Sequence, residues 1–336
     1  MQHDSTPDSS PDAALPVIGL EGLSGGGPGA LERVARAIAS ACERSGFFYV
    51  AGHGIDEAVV EALRQQARRF FAQPEPVKAA IAINRVNRGY LGPGQARMQG
   101  AAHTDLKEVF FWGRELAADD PDVLAGRPLC GPNRWPAAPP GFRAAVERYH
   151  RAAAGLGDSL LRAFAVALGQ APAFFAPFYE RPMTRGQLIH YPPPPPGTSP
   201  ERFGVAPHSD FGCITLLLQE TAGLEVLARD GGWIAAPPLP GSLVVNIGDL
   251  MERWTGGRLP STRHRVRNMT GADRYSIAIF HDPSPSALVD PADLSGAADA
   301  AFPPIEAAAY IDRRNRGAFA HYGPEAAAPK APGERS

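Results

Sequence analysis

The sequence predicts an α+β protein in which N-terminal helices flank a jelly-roll core. In the first half of the chain, apolar residues recur at helical spacing over long stretches. After Gly186 the pattern changes to short β-rich runs separated by turn residues, which is typical of an antiparallel sandwich or jelly roll. Gly and Pro are abundant, at 36 and 35 residues, so many loops are expected between the elements.

The N-terminal half is predicted to contain short strands and three helices. Apolar runs at residues 15–20 and 47–50 predict strands. Residues 30–44 predict a helix, since apolar residues recur on one face and Gly46 stands just past the end. Asp56 is the expected N-cap of a second helix. A third helical stretch covers residues 140–168 and is expected to break near 155–157, where two glycines occur.

The C-terminal half is predicted to consist mainly of strands. They are expected at residues 187–191, 213–219, 223–228, 232–236, 242–247, 262–268 and 274–281. We divide the chain into four regions. Residues 1–14 form a disordered tail and residues 15–135 an N-terminal helical and mixed region. Residues 136–323 form a catalytic core of a helix and the jelly roll, and residues 324–336 a flexible tail.

The composition predicts a folded, soluble enzyme. Hydrophobic residues make up 44% of the chain and charged residues 20%, near the average for folded domains. A net charge of -2 gives no electrostatic reason to expect a nucleic acid or an anionic membrane as partner. No apolar run approaches the roughly 20 residues that span a bilayer, and the polar N-terminus does not resemble a signal peptide. We therefore expect a cytoplasmic protein with reduced cysteines; its oligomeric state is not predicted.

Two histidines and an aspartate form the candidate metal site. His208 and Asp210 are separated by one residue, so in an extended chain both side chains face the same side. His264 lies in a later predicted strand, and a jelly roll brings distant strands side by side. Two imidazoles and one carboxylate on one face are typical of non-haem Fe(II) oxygenases and leave coordination positions open for a chelator and O2. A second copy of the motif, at residues 103–105, lacks a matching downstream histidine and is interpreted as a loop turn or capping pair.

A candidate carboxylate-binding pair follows His264. Arg274 and Ser276 flank a single residue, so on a strand both side chains point to one face. A guanidinium offers a fork of donors suited to a carboxylate, and the hydroxyl adds another donor. 2-Oxoglutarate can chelate iron through one end and needs an arginine for the other. The combination of the metal motif with this pair predicts 2-oxoglutarate as co-substrate.

Segments along most of the chain resemble the isopenicillin N synthase-like family of 2-oxoglutarate- and Fe(II)-dependent dioxygenases. They include LPVIGL, ACERSGFFYVAGHGI, RGYLGPG, LKEVFFWG, QLIHYPP, APHSDFGCITLLLQ, GSLVVNIGDLMERWTGGRLPSTRHRV and RYSIAIFHDP. The resemblance covers roughly residues 15–320. It implies a double-stranded β-helix core, and Fe(II)- and O2-dependent decarboxylation of 2-oxoglutarate to succinate and CO2. The coupled reaction would hydroxylate, desaturate or cyclise a small organic molecule.

The resemblance also implies that Tyr191 assists in binding 2-oxoglutarate, although a packed aromatic residue at a strand end is an equally good interpretation. The sequence departs from the family at two places. Ile189 stands where plant members usually carry Asn, and the proline run 192–196 replaces a proline-cysteine pattern. Both departures leave the details of the co-substrate pocket open.

Three residues are predicted to face the substrate. Phe211 follows the metal motif, and Phe280 and His281 end the strand that carries Arg274. Arg88 and Tyr90 either cover the site or pack in a tight Gly/Pro turn. The substrate itself is not predicted.

Several other residues are assigned structural roles. Asp249 is interpreted as a helix cap in preference to a residue that supports the metal site. Met251 and Trp254 are expected in the core, and Cys213 as a small buried hydrophobe. The basic cluster formed by Arg313, Arg314 and Arg316 is interpreted as a solvated helix end.

Three alternative functions remain at this point. An oxidase of the same family would use iron and O2 without 2-oxoglutarate, and its Arg-Ser pair would hold the substrate. A non-catalytic jelly-roll protein would keep only a relic of the metal site. A zinc hydrolase could use the same three ligands, but it would leave Arg274 and Ser276 without a role.

Overall fold

The computed structural model describes residues 14–23, 25–98, 101–199, 202–268 and 271–322. The predicted tails lie outside these residues, apart from Ala14. The strands are β1 (Val17–Gly19), β2 (Phe47–Ala51), β3 (Gly89–Leu91), β4 (Glu108–Gly113), β5 (Arg185–Tyr191), β6 (Val205–His208), β7 (Ile214–Gln219), β8 (Leu224–Leu227), β9 (Trp233–Ala235), β10 (Ser242–Ile247), β11 (His264–Val266), β12 (Arg274–His281), β13 (Leu288–Val289) and β14 (Ile305–Glu306). The helices are α1 (Ala30–Arg44), α2 (Glu57–Phe71), α3 (Glu75–Ala79), α4 (Pro121–Leu124), α5 (Phe142–Ala167), α6 (Asp249–Trp254), α7 (Ala292–Ser295) and α8 (Ala307–Ala318).

Two sheets face each other across the centre of the fold. The larger has eight strands in the order β1-β2-β10-β7-β12-β5-β4-β3, and the smaller has the order β6-β11-β8-β9. Only the pairing of β1 with β2 is parallel among these neighbours. The regions predicted at 15–135 and 136–323 share the larger sheet, because β1 to β4 come from the first and the other four strands from the second.

Two apolar clusters hold these layers together. One packs α1, α2 and α5 against the outer face of the larger sheet and contains Val34, Leu63 and Phe164. The other lies between the two sheets and contains Val109, Val226 and Val244. The inner face of the barrel is therefore lined by alternate residues of each strand, and a side chain's parity decides whether it faces the barrel or the helices.

The predicted elements are largely present. The first helix has the predicted bounds, and the Asp56 side chain accepts a hydrogen bond from the backbone N–H of Ala58 at 2.9 Å as the N-cap of α2. Each of the seven runs predicted after Gly186 contains a strand. Strands β3, β4, β6, β13 and β14 were not predicted as separate elements. No described helix is long and apolar enough to cross a membrane.

The predicted break in the third helix is wrong, because α5 runs unbroken through both glycines. Gly157 faces β12, and a Cβ atom there would lie 2.6 Å from the ring of His281. The glycine thus permits close packing of the helix on the sheet. At Gly155, an added Cβ would have no atom of another described element within 4 Å.

Candidate active site

The three predicted metal ligands converge at one end of the smaller sheet. His208 ends β6 and His264 opens β11, and the two residues are direct partners in the antiparallel pair. The Nε2 atoms of His208 and His264 lie 3.8 and 3.7 Å from Oδ1 of Asp210. One ligand atom of each residue lies within 4.8 Å of the others, so the three side chains could hold a single metal ion.

Backbone carbonyls orient both imidazoles. Nδ1 of His208 lies 2.8 Å from the carbonyl of Ala206, and Nδ1 of His264 lies 3.2 Å from that of Thr262. A carbonyl only accepts, so each Nδ1 carries the proton and each Nε2 presents a lone pair to the metal position.

Two further side chains orient Asp210. Its Oδ2 atom accepts hydrogen bonds from Thr215 Oγ1 at 2.6 Å and Asn246 Nδ2 at 2.8 Å. The other oxygen, Oδ1, is the one that faces the histidines. Thr215 and Asn246 were missed from the sequence, because their roles depend on the positions of β7 and β10 around the metal loop.

The electrostatics of this cluster favour metal-binding protonation states. Burial, followed by the neighbouring His264, lowers the pKa of His208 to about 3, so its imidazole is neutral at pH 7. Burial alone would raise the pKa of Asp210, but the two histidines and the donors Asn246 and Thr215 outweigh it and lower that pKa. A neutral imidazole and an ionised carboxylate are both ready to bind a cation.

Arg274 and Ser276 form a second polar site in the same cavity. Their side chains, like that of Tyr191, face the barrel interior from neighbouring positions on β12 and β5. The buried Arg274 guanidinium donates to Gln219 Oε1 at 3.3 Å and to the carbonyl of Ala222 at 3.2 Å. Its centre lies 4.7 Å from the centroid of the Tyr191 ring.

This second site has unused donors. The Nη1 atom of Arg274 and the hydroxyl of Ser276 are buried and have no hydrogen-bond partner among the described residues. Buried donors without partners are costly, so their presence side by side indicates a ligand that accepts from both. A carboxylate meets that requirement.

The cavity that joins the two sites has a volume of about 850 Å³, including its open mouth. Phe211 and Phe280 line it, as does Ile189, whose apolar side chain occupies the place of the usual plant asparagine. Besides Thr215 and Asn246, the polar lining residues that were not singled out from the sequence include Lys107, Arg185, Gln187 and Asn315. No local motif marks them: Lys107 precedes β4, Arg185 and Gln187 lie on β5, and Asn315 lies on α8.

The prediction that His281 faces the substrate is wrong. It has the opposite parity to Arg274 and Phe280 on β12, and its side chain is fully buried on the helix side of the sheet. There its ring nitrogens lie 3.0 Å from Thr184 Oγ1 and 3.0 Å from Asp158 Oδ1.

Two interpretations near the C-terminus are also wrong. Asp249 is not the cap of α6, since Gly248 holds that position; its buried carboxylate pairs with Arg314 at 2.7 Å. Arg314 is therefore not solvated as predicted, and the centre of its guanidinium lies 4.5 Å from the centroid of the Phe211 ring. Arg316 is half exposed and pairs with Asp312 as a surface residue.

The remaining predicted residues have structural positions. Asp105 accepts from the backbone N–H of Ala206 at 3.1 Å and is not in the three-ligand cluster. Arg88 donates to backbone carbonyls, and the Tyr90 hydroxyl lies within hydrogen-bond distance of the Glu75 and Glu108 carboxylates, so both pack inside the fold and do not cover the site. Met251 and Trp254 are in the core, and all three cysteines are free and buried.

Comparisons with known proteins agree with this geometry. A family model described as the N-terminal region of the non-haem dioxygenase in morphine synthesis matches residues 15–138. A second, described as the 2OG-Fe(II) oxygenase superfamily, matches residues 184–283, which include all the predicted metal and co-substrate residues.

Individual relatives match both halves of the chain. The 2-oxoglutarate-Fe(II) type oxidoreductase hxnY of Emericella nidulans is 36% identical over 280 residues, which is 81% of this chain and 80% of that protein. A crystal structure of a Caulobacter crescentus protein assigned to the 2OG-Fe(II) oxygenase family is 33% identical and has a TM-score of 0.77, covering 90% of this chain and 98% of that one.

A Neurospora crassa protein crystallised with alpha-KG and thymine is 27% identical and has a TM-score of 0.77, covering 89% of this chain and 96% of that one. Together with the two facing sheets, these structural matches confirm the α+β fold with a double-stranded β-helix core. The chain therefore belongs to the 2OG-Fe(II) oxygenase superfamily and is a non-haem dioxygenase that uses Fe(II) and 2-oxoglutarate.

Proposed function

We propose that His208, Asp210 and His264 hold Fe(II), and that Arg274 and Ser276 bind the distal carboxylate of 2-oxoglutarate with Tyr191 beside them. One observation carries this assignment. The buried Nη1 of Arg274 and the hydroxyl of Ser276 have no hydrogen-bond partner in the described part of the chain, and they lie in the same cavity as the two Nε2 atoms and Asp210 Oδ1. Bound Fe(II) and 2-oxoglutarate supply the oxidising chemistry, using O2 and releasing succinate and CO2.

The protein's own contribution is orientation and exclusion of water. The carbonyls of Ala206 and Thr262 keep both imidazoles turned towards the metal position, and Thr215 and Asn246 do the same for Asp210. The Arg274 fork fixes the co-substrate at a set distance from the metal. Phe211 and Phe280, on the cavity wall, are proposed to contact the substrate and keep water from it.

The substrate is a small molecule, in keeping with the size of the cavity and with thymine in the Neurospora protein. Relatives named for their dependence on 2-oxoglutarate support the co-substrate over the same-family oxidase that lacks it. Cytoplasmic location and the lack of a nucleic-acid partner stay predictions.

The test is an anaerobic titration of metal-free protein with Fe(II) and then 2-oxoglutarate, in which the visible charge-transfer band of the iron chelate is followed. We expect the band in the wild type, no band in His208→Ala, and a band only at much higher 2-oxoglutarate concentration in Arg274→Ala. Arg316→Ala, which removes a half-exposed arginine paired with Asp312, is the matched control. Iron binding without the band would instead support an oxidase that does not use 2-oxoglutarate.

A further inference from the structure

We propose that the substrate of this oxygenase is an uncharged molecule with a flat apolar body that offers carbonyl oxygens, or equivalent acceptors, to the N–H groups of Lys107 and Arg185. The inference rests on the site roles proposed above and adds the chemical class of the substrate. It follows from how the charges around the cavity are paired.

Three Lys or Arg side chains line the cavity, namely Lys107, Arg185 and Arg274. Among the described residues, Arg274 has no carboxylate within ion-pair distance, which suits it to the anionic co-substrate. The other two each have a carboxylate partner built into the fold. They are therefore not available as unmatched positive charges for a second anion.

Lys107 is paired inside the protein. Its Nζ lies 3.1 Å from Asp105 Oδ2, and both side chains are buried. Asp105 is held in place by the backbone N–H of Ala206, which donates to its Oδ1. This is a pre-formed ion pair, with its negative member fixed to the strand that carries His208.

Arg185 is paired in the same way. Its Nη2 and Nε lie 2.6 and 3.1 Å from Oδ2 of the fully buried Asp282, whose Oδ1 accepts from the backbone N–H of Cys213 at 2.9 Å. The centre of the guanidinium lies 5.2 Å from the centroid of the Phe280 ring. Arg185 therefore lies at the part of the cavity wall where we place the substrate.

The formal charges of the loaded site then balance without the substrate. The charges of Fe(II) and Arg274 are matched by Asp210 and the two carboxylates of 2-oxoglutarate, and Lys107 and Arg185 are matched by Asp105 and Asp282. A charged substrate would have to be buried without a counter-charge, which is strongly unfavourable. An uncharged substrate avoids that cost.

Hydrogen-bond donors, by contrast, are in surplus. A lysine ammonium has three N–H groups, and Lys107 has no described partner besides Asp105. The Nη1 of Arg185 makes no hydrogen bond within the described chain, because Asp282 takes only Nη2 and Nε. An acceptor on the substrate would satisfy these donors, while Phe211 and Phe280 offer aromatic faces for an apolar ring.

Three molecules of nearly equal shape test the charge preference. Benzamide is neutral, benzoate anionic and benzamidine cationic, and each is a flat ring with one planar polar group. Calorimetric titration of the anaerobic Fe(II)- and 2-oxoglutarate-loaded protein should show benzamide binding tighter than either ion by roughly tenfold or more. Benzoate or benzamidine binding as tightly as benzamide would overturn the proposal, and so would failure of benzamide to bind up to its solubility limit.

Asp105→Asn supplies a gain-of-function test. The amide keeps an oxygen for the Ala206 N–H but removes the charge that matches Lys107. We expect benzoate affinity to rise by about tenfold relative to benzamide. Glu57→Gln removes a carboxylate from an exposed surface pair and should leave the ratio unchanged. An unchanged ratio in Asp105→Asn would show that Lys107 does not face the ligand and would count against the proposal.

The charge-transfer band is measured before any probe is added. It distinguishes failure of the proposed metal and co-substrate sites from failure of the proposed substrate class. If the band does not form, the assignment of the metal and co-substrate sites fails. If the band forms in the wild type and in Asp105→Asn but benzoate is preferred by the wild type, only the substrate class is wrong.

Discussion

Asn246 donates a hydrogen bond from Nδ2 to Oδ2 of Asp210 at 2.8 Å, and together with Thr215 this contact leaves Oδ1 to face the two histidines. The donors come from β10 and β7, so the larger sheet determines the geometry of a ligand whose two histidine partners lie on the smaller sheet.

Removing these donors should weaken metal binding without abolishing it. We expect Asn246→Ala and Thr215→Val each to raise the dissociation constant for Fe(II) by roughly 10- to 100-fold, since the carboxylate loses its fixed orientation. Anaerobic metal titration measures this directly. Thr198→Val, at an exposed turn, is the control. Unchanged affinity in both variants would show that Asp210 keeps its orientation without these donors.

Arg274→Lys should impair co-substrate binding selectively. Lysine keeps the charge but loses the planar fork, so the KM for 2-oxoglutarate should rise on the order of tenfold, and on the order of 100-fold in Arg274→Gln. Fe(II) affinity should stay near that of the wild type, because Arg274 is not among the three clustered ligands. An equal loss of Fe(II) affinity would instead indicate general damage to the barrel.

The buried ion pair between Asp249 and Arg314 predicts a coupled effect on stability. Arg314→Met would leave the Asp249 carboxylate buried without its cation, at a cost of about 3 kcal/mol in the free energy of unfolding. The double variant Arg314→Met/Asp249→Asn should recover part of that loss. Chemical denaturation of the four proteins in the cycle measures the coupling, and strictly additive effects would contradict a direct pair.

Two glycines of α5 should respond to alanine in opposite directions. Gly157→Ala would place Cβ 2.6 Å from the His281 ring and should lower the free energy of unfolding by about 1–3 kcal/mol. The Cβ of Gly155→Ala would meet no other described element within 4 Å, so this variant should raise the free energy of unfolding by up to about 1 kcal/mol through helix propensity. Thermal denaturation of the two variants measures both effects. It tests whether Gly157 is required by the contact between α5 and the sheet or by the helix alone.

His150 predicts a loss of stability in acid. Burial, with added repulsion from His281 and Arg88, lowers its pKa to about 4, and Trp112 Nε1 donates to its Nδ1 at 3.2 Å. The unfolded chain takes up a proton near pH 6.5 while the folded protein does not, so stability falls between pH 6.5 and 4 by up to roughly 3 kcal/mol. His150→Asn keeps an acceptor for Trp112 but cannot titrate, so its melting temperature should fall less over this range. An identical pH profile would assign the acid sensitivity to other groups.

Residues of the candidate site were predictable where they stand close together in the sequence. His208 and Asp210, and likewise Arg274 and Ser276, are two positions apart, and the structure places all four side chains at the cavity, although Asp210 lies in the loop just after β6. Parity also shows why one prediction failed, since His281 is an odd number of positions from Arg274 on the same strand. Applying the alternation to β12 would have excluded it from the sequence alone.

Other features depended on partners that no short segment contains. Asp249 was expected to cap a helix and Arg314 to be solvated, because neither sequence neighbourhood shows the other residue. The same holds for the Arg185–Asp282 pair, whereas Asp105 and Lys107 are only two positions apart and the fold shows that both are buried; in both pairs an apparent anion-binding residue is a neutralised donor.

The sequence by itself determined the main helices, most of the strands after Gly186 and the residue types of the candidate metal and carboxylate-binding sites, because periodicity and motif spacing act over a few residues. Only the tertiary structure decided which oxygen of Asp210 faces the histidines and which cations of the cavity are matched by carboxylates. Those properties arise when strands far apart in the chain pair in one register, and the burial that follows forces each polar group to find a partner.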